Sequence, residues 1–144
     1  MKLITVALFI SLNYLFVPNT KSCVGKWTTF DDETHKNKST VELYKVDGKL
    51  FGKIVYLYPK KGREDDPLCT KCTGTNKNKK IVGMQIAGNM VWNGKEWEDG
   101  YIIDPENGKS YTVSMWIDSE NPDKLHVRGY IGIFYRTQDW IRTE

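Results

Sequence analysis

The sequence predicts an all-β fold, a single antiparallel up-and-down β-barrel of about eight strands. Three observations lead there. Short stretches of alternating apolar and polar residues recur along the chain, as in Tyr111, Val113, Met115 and Ile117 against Ser110, Thr112, Ser114 and Trp116. A period of two marks a strand with one buried face. These stretches are separated by turn residues, among them Asp47-Gly48, Asn93-Gly94 and Pro105-Glu106-Asn107-Gly108, which accept the positive φ of tight hairpins. No stretch sustains a helical period. A meander of hairpins leaves two unpaired edges, and closing on itself removes both.

The chain opens on Lys2, an apolar run from Leu3 to Val17, then Pro18, Asn19 and the small-residue spacing Thr20-x-Ser22. That order predicts a signal peptide over residues 1–22, because the run is shorter than the ~20 apolar residues of a spanning helix. The domain then covers residues 23–144. The leader holds Lys2 and Lys21 and no acid, so the remaining 122 residues carry 19 basic and 18 acidic side chains. A near-neutral domain has no general attraction to phosphate backbones, and no nucleic-acid partner is expected.

Strands are expected over 24–30, over 41–44 before Asp47-Gly48, and over 50–58, rich in Ile, Val, Tyr and Phe. A long polar loop from Pro59 to about Lys80 interrupts the meander. Segments 81–86 and 96–103 flank Asn93-Gly94, and 111–117 follows the next turn. After Asn121-Pro122-Asp123, Leu125, Val127, Gly129, Ile131 and Ile133 alternate with His126, Arg128 and Tyr130; the last strand runs over 134–142.

Both ends of the domain carry residues suited to closing a barrel. Gly25-Lys26-Trp27 opens the first strand, and Arg136, Trp140 and Arg142 lie on the last. Trp27 can plug one end while a guanidinium stacks on the indole and bonds backbone carbonyls. This resembles the lipocalin and fatty-acid-binding superfamily, where a Gly-x-Trp on the first strand is crossed by an arginine from the last. Trp27, Arg136, Trp140 and Arg142 are therefore the expected closure residues.

Further motifs run through the domain: Asp31-Asp32, Lys38-Ser39-x-Val41-Glu42, Gly52-Lys53-Ile54-Val55 and Asp65-Asp66-Pro67-x-Cys69-x-x-Cys72. They continue as Asp104-Pro105-Glu106-Asn107-Gly108-Lys109-x-Tyr111, Val127-Arg128-Gly129-Tyr130-Ile131-Gly132 and Arg136-Thr137-Gln138-x-Trp140. Together they resemble the bacterial domain of unknown function 2147. The resemblance implies an exported, lipocalin-like barrel and no known activity.

Cys69 and Cys72 lie in the long loop. In an exported chain, thiols this close are expected to pair and shape the loop, which could then cap one end of the barrel. So small a ring stabilises by roughly 2 kcal/mol in the chain-entropy model. A structural zinc site needs four ligands. Beyond this pair the sequence offers only His35 in a polar turn and His126 in a strand, so no metal is expected. Thiol-redox chemistry wants a helix N-terminus or a neighbouring cation; Lys71 alone supplies that, and redox work ranks behind the structural bridge. Cys23 is the odd cysteine. It is a candidate for lipidation, or else a plain free or buried thiol.

Asp31-Asp32 and Asp65-Asp66 are adjacent pairs that extended backbone points apart, so no acid–base pair converges. There is no Gly-x-Ser-x-Gly elbow and no Gly-rich phosphate loop. No enzyme activity and no cofactor is expected. Asp118, Glu120 and Asp123 crowd one turn but supply too few oxygens for calcium. Lys77-Asn78-Lys79-Lys80 reads as a solubilising loop face.

Glu42, Tyr44, Lys53, Arg128 and Tyr130 lie opposite apolar runs. Charges turned inward must be paired. These five are expected to anchor a ligand's head group, with apolar walls for its body; the alternative is an ion-pair network or a solvated face. The expected function is non-enzymatic binding of a small apolar or amphipathic molecule in the cell envelope. The protein would be periplasmic, or tethered to the membrane through Cys23. If side chains fill the barrel, its work moves to the surface as an interaction module.

Overall fold

The structure, a computed structural model, describes residues 22–143. Its strands are β1 (Gly25–Phe30), β2 (Asn37–Val46), β3 (Lys49–Leu57), β4 (Gln85–Trp92), β5 (Trp97–Asp104), β6 (Lys109–Ile117), β7 (Lys124–Ile131) and β8 (Phe134–Thr143). They follow one another in chain order round a closed antiparallel barrel, as the alternation predicts. The signal-peptide expectation falls on residues 1–21, outside the described residues, and on Ser22.

The fourth strand departs most from expectation. It starts at Gln85 rather than at Ile81, because the chain turns at Gly83, whose φ is 91°. Its pairing with β3 then slips, Gly52 facing Ala87 but Lys53 facing Gln85. Asn89 adds a positive φ of 58°. Such bulges put extra residues on one side of a ladder, so Ile86 and Ala87 are both buried in succession. The strand therefore shows no clean alternation to read.

The inward faces are fixed by register. Met115 faces Val127 across β6–β7, and Leu125, Val127 and Gly129 face Trp140, Gln138 and Arg136 across β7–β8. One half of the barrel is filled by these faces. Trp27, Leu43, Leu50, Met90, Met115 and Leu125 are fully buried there. Packing is tight enough that a Cβ on Gly100 would collide with the Met90 side chain and the Gly88 carbonyl, a demand only glycine meets.

At the filled end the Arg142 guanidinium lies 4.3 Å from the Trp27 ring centroid. Its Nη2 donates to the carbonyls of Ser22 (3.0 Å) and Pro122 (3.1 Å), and its Nε to Asp123 (3.1 Å). Trp27 Nε1 donates to the Cys23 carbonyl at 2.9 Å. Arg142 and Trp27 therefore close the barrel. Arg136 does not: it lies near the other end, six residues back along β8, and pairs with Asp32. Trp140 is buried, but inside the lumen rather than at the plug.

The β1–β8 seam is short, with Lys26, Trp27 and Thr28 facing Thr143, Arg142 and Ile141. Past Thr28 the seam is held by side chains. Gln138 Nε2 donates to both Asp32 oxygens at 3.0 and 2.9 Å, and Arg136 joins the same carboxylate. The β1–β2 loop is thereby tied across to β8.

Candidate functional site: a cavity at the open end

Strand direction carries four connections to the end opposite the plug: residues 31–36, 58–84, 105–108 and 132–133. Beneath them the barrel is hollow. A cavity of about 430 Å³ opens here. Val41, Ile54, Ile86, Ile102, Val127 and Trp140 form its apolar wall and floor. Lys38, Arg63, Asp104, Glu106, Arg136 and Gln138 ring its polar mouth. Strand alternation supplies the wall; strand ends (Lys38, Asp104, Arg136, Gln138) and two loops (Arg63, Glu106) supply the polar mouth.

Most of those charges are mutually engaged. Lys38 Nζ lies 3.2 Å from Glu106 and 4.0 Å from Asp104, and Lys60 bonds Glu106 at 3.2 Å. Burial pushes the Glu106 carboxyl up, but Lys38 and Lys60 outweigh it and hold the group below its ordinary range. The hydrogen bond to Glu106 raises Lys60 in return. Arg63 is the exception. Its Nη2 donates to the Tyr58 carbonyl, a neutral partner, and its buried Nε has no hydrogen-bond partner among the described residues.

The long loop is held over this end by the Cys69–Cys72 bridge, whose Cα atoms are 5.3 Å apart. Both cysteines are buried. Cys69 N donates to Lys79 O at 2.7 Å and Asn78 N to Cys69 O at 3.0 Å, folding the loop back on itself. The bridge packs on the β5–β6 turn, with Cys69 Sγ 3.6 Å from the Pro105 carbonyl oxygen. Gly108 (φ 72°) lies so close that a Cβ there would collide with the Lys71 carbonyl. Arg63 and Ile81, near the loop's two ends, line the cavity.

The five residues expected to hold a head group lie on the outer wall. Register sets Glu42 opposite Lys53 and Lys26, one position out of step with inward Val41 and Leu43. Tyr44 donates to Gln85 at 3.2 Å, lies under Lys53 Nζ at 5.4 Å, and has its phenol raised by burial. Arg128 stacks between Trp116 (4.9 Å) and Tyr135 (4.3 Å), its Nε donating to Thr137 at 2.8 Å. The rings of Tyr130 and Tyr135 are 6.1 Å apart. None of the five lines the cavity. The structure brings together Glu42 with Lys53 and Tyr44 with Lys53, and separately Arg128 with the aromatics of β6 and β8.

Cys23 is buried beneath Trp27, and burial pushes its thiol up to about 11. His126, on β7 as expected, bridges two carboxylates, Asp118 at 2.8 Å and Asp139 at 2.7 Å. With Trp116, Arg128 and the β1–β2 loop it borders an open outer groove of about 710 Å³. That groove is larger, but it is a solvent-facing trough with a charged wall, and the lumen cavity is the better ligand site. Sequence reasoning missed Arg63 and Glu106 because loop residues carry no periodicity, and Lys38 because it stands at the very start of β2, before the alternation becomes readable.

A family model described as "Uncharacterized protein conserved in bacteria (DUF2147)" matches residues 25–142. The chain belongs to this family. The match begins at the first residue of β1 and ends at the closing arginine, so the DUF2147 unit is the barrel itself. No curated protein matches the chain in sequence. Among solved structures, the fold is similar to that of protein HP1028 from the human pathogen Helicobacter pylori, described as belonging to the lipocalin family. The two share 18% identity at a TM-score of 0.72, over 85% of this chain and 84% of that one. At that identity the likeness establishes the fold, a lipocalin-like barrel.

Proposed function

We propose that this DUF2147 protein is a non-enzymatic carrier or sensor that holds a small, partly apolar molecule in the open half of its barrel. One observation carries the reading: the lumen is packed below and hollow above, with about 430 Å³ of apolar-walled space under a polar mouth. That combination is the usual build of a small-molecule site. The lipocalin-like fold is compatible with it, although fold alone does not assign a ligand.

The test is a homologous series of linear aliphatic compounds displacing a neutral fluorescent probe. Affinity should rise about fourfold per methylene, from about 0.8 kcal/mol per buried CH₂, and level off when the cavity is full. Ile102→Trp takes up part of the space, so affinity should level off at a shorter chain. A wild-type protein that binds none of the series would refute the reading.

We place the protein outside the cytosol, in the cell envelope. The paired Cys69 and Cys72 and the leader-like N-terminus support this. The burial of that pair supports a structural bridge over thiol-redox work. The burial of Cys23 supports a free structural thiol, since a lipidated sulfur would have to leave the plug. A second reading, a surface interaction module, is favoured by the β7–β8 hairpin, where Ile133 is 89% and Phe134 75% exposed. Ile133→Lys should then abolish partner capture while leaving cavity binding unchanged.

A further inference from the structure

We infer that the molecule held in the cavity carries a carboxylate and that Arg63 receives it; this rests on the binding reading above. The charges at the mouth set the argument. Lys38 is answered by Glu106 and Asp104, and Arg136 by Asp32. Arg63 has the neutral Tyr58 carbonyl. Its Nε is the buried polar side-chain atom left without a hydrogen bond among the described residues. Native structures rarely leave such a donor unanswered, because losing its hydrogen bond to water is costly. A missing acceptor at a cavity wall points to the occupant of that cavity.

The guanidinium specifies the acceptor further. It offers a planar fork of donors, matched to an anion with two coplanar oxygens. Lys38, Lys60 and Arg136 already answer Asp104, Glu106 and Asp32, so Arg63 leaves the mouth one positive charge to match, which suits a monoanion better than a dianion such as a phosphate monoester. A single carboxylate satisfies Arg63 in both charge and geometry. The apolar wall of Ile54, Ile86 and Ile102 lies below the mouth, so the body of the ligand extends down into the lumen. Arg63 is held for this task by its own turn. Its backbone N–H donates to Lys60 O at 3.1 Å, and Gly62 supplies the positive φ of 80° that the turn requires.

The experiment compares decanoate with decanol at pH 7.5 as displacers of a neutral probe from the purified protein. Wild type should prefer the acid by on the order of tenfold, as for a hydrogen bond to a charged group. Arg63→Gln should bring the ratio of acid to alcohol affinity close to one, and Arg63→Lys should restore part of the preference. Independently of any variant, the preference in wild type should vanish as the carboxylate protonates near its ordinary pKa of about 4–5. Equal affinity for acid and alcohol in wild type would overturn the inference and leave the binding reading standing. A preference that survives Arg63→Gln would overturn the assignment to Arg63. If neither compound binds, the binding reading itself fails.

Discussion

Two arginines on β8 were equal candidates for closing the barrel, and the structure separates them by their partners. Gly-x-Trp and a terminal arginine were legible in the sequence. The choice of Arg142 over Arg136 was not, because both point inward on one strand and only the short β1–β8 register decides which meets Trp27. Arg142 combines the indole contact with several hydrogen bonds, whereas Arg136 is a largely exposed ion pair. In urea denaturation, Arg142→Ala should cost about 1–3 kcal/mol and Arg136→Ala less than about 1 kcal/mol. Equal costs would contradict this division. The His126 cluster gives a pH-dependent counterpart. Asp118 is lowered from its ordinary 3.8 to about 2, first by His126 and then by turn amides. Its stabilisation is therefore present above pH 3.8 and is lost as pH falls through about 2. Asp118→Asn should flatten the urea midpoint over that window; an unchanged profile would count against the cluster. Cys23 works with the opposite sign. Burial raises the thiol from 9.0 to about 11, so its stabilisation is complete below pH 9.0 and is lost toward 11. The native thiol should resist aromatic disulfide reagents at pH 8 and react after unfolding. Fast native labelling would show that Cys23 leaves the plug.

At the scale of elements, the strands that sequence placed well are those that alternate without interruption. Residues 109–117 and 124–131 keep one face inward throughout, and their turns contain residues that suit hairpins. The fourth strand is displaced from its expected start because bulges on either side of Ala87, one of them at Asn89, scramble the period of two. The long loop was recognised as a loop with a pinned Cys pair. Its role could not be read, because the contact between Cys69 and Pro105 joins residues 36 positions apart. Cys69→Ser with Cys72→Ser should cost roughly 2 kcal/mol in global stability. It should also raise amide exchange within residues 58–84 more than in the strands. Gly108→Ala should reproduce the local exchange change with the bridge intact, since its Cβ displaces the Lys71 backbone. If neither change loosens the loop, the bridge does not hold it against the β5–β6 turn.

The whole molecule answers a question that composition left open. A small barrel can spend its apolar and aromatic residues on filling itself or on lining a space, and both uses select the same side chains. Here the division runs along the barrel axis. Trp27, Leu43, Leu50, Met90, Met115 and Leu125 fill one half, and Ile54, Ile86 and Ile102 line the other. Alternation told which face of a strand is inward but not how far opposite walls stand apart, so the hollow was not countable from sequence. The same alternation placed Glu42, Lys53 and Arg128 opposite apolar runs without saying that the apolar side was the lumen. The most direct test is native mass spectrometry of the protein purified from its own cells, beside an Ile102→Trp variant prepared identically. A discrete extra mass on the wild type, released on denaturation and reduced in the variant, is the predicted result. A wild-type protein that carries only its polypeptide mass, and gains none when offered the aliphatic series, would contradict a binding barrel.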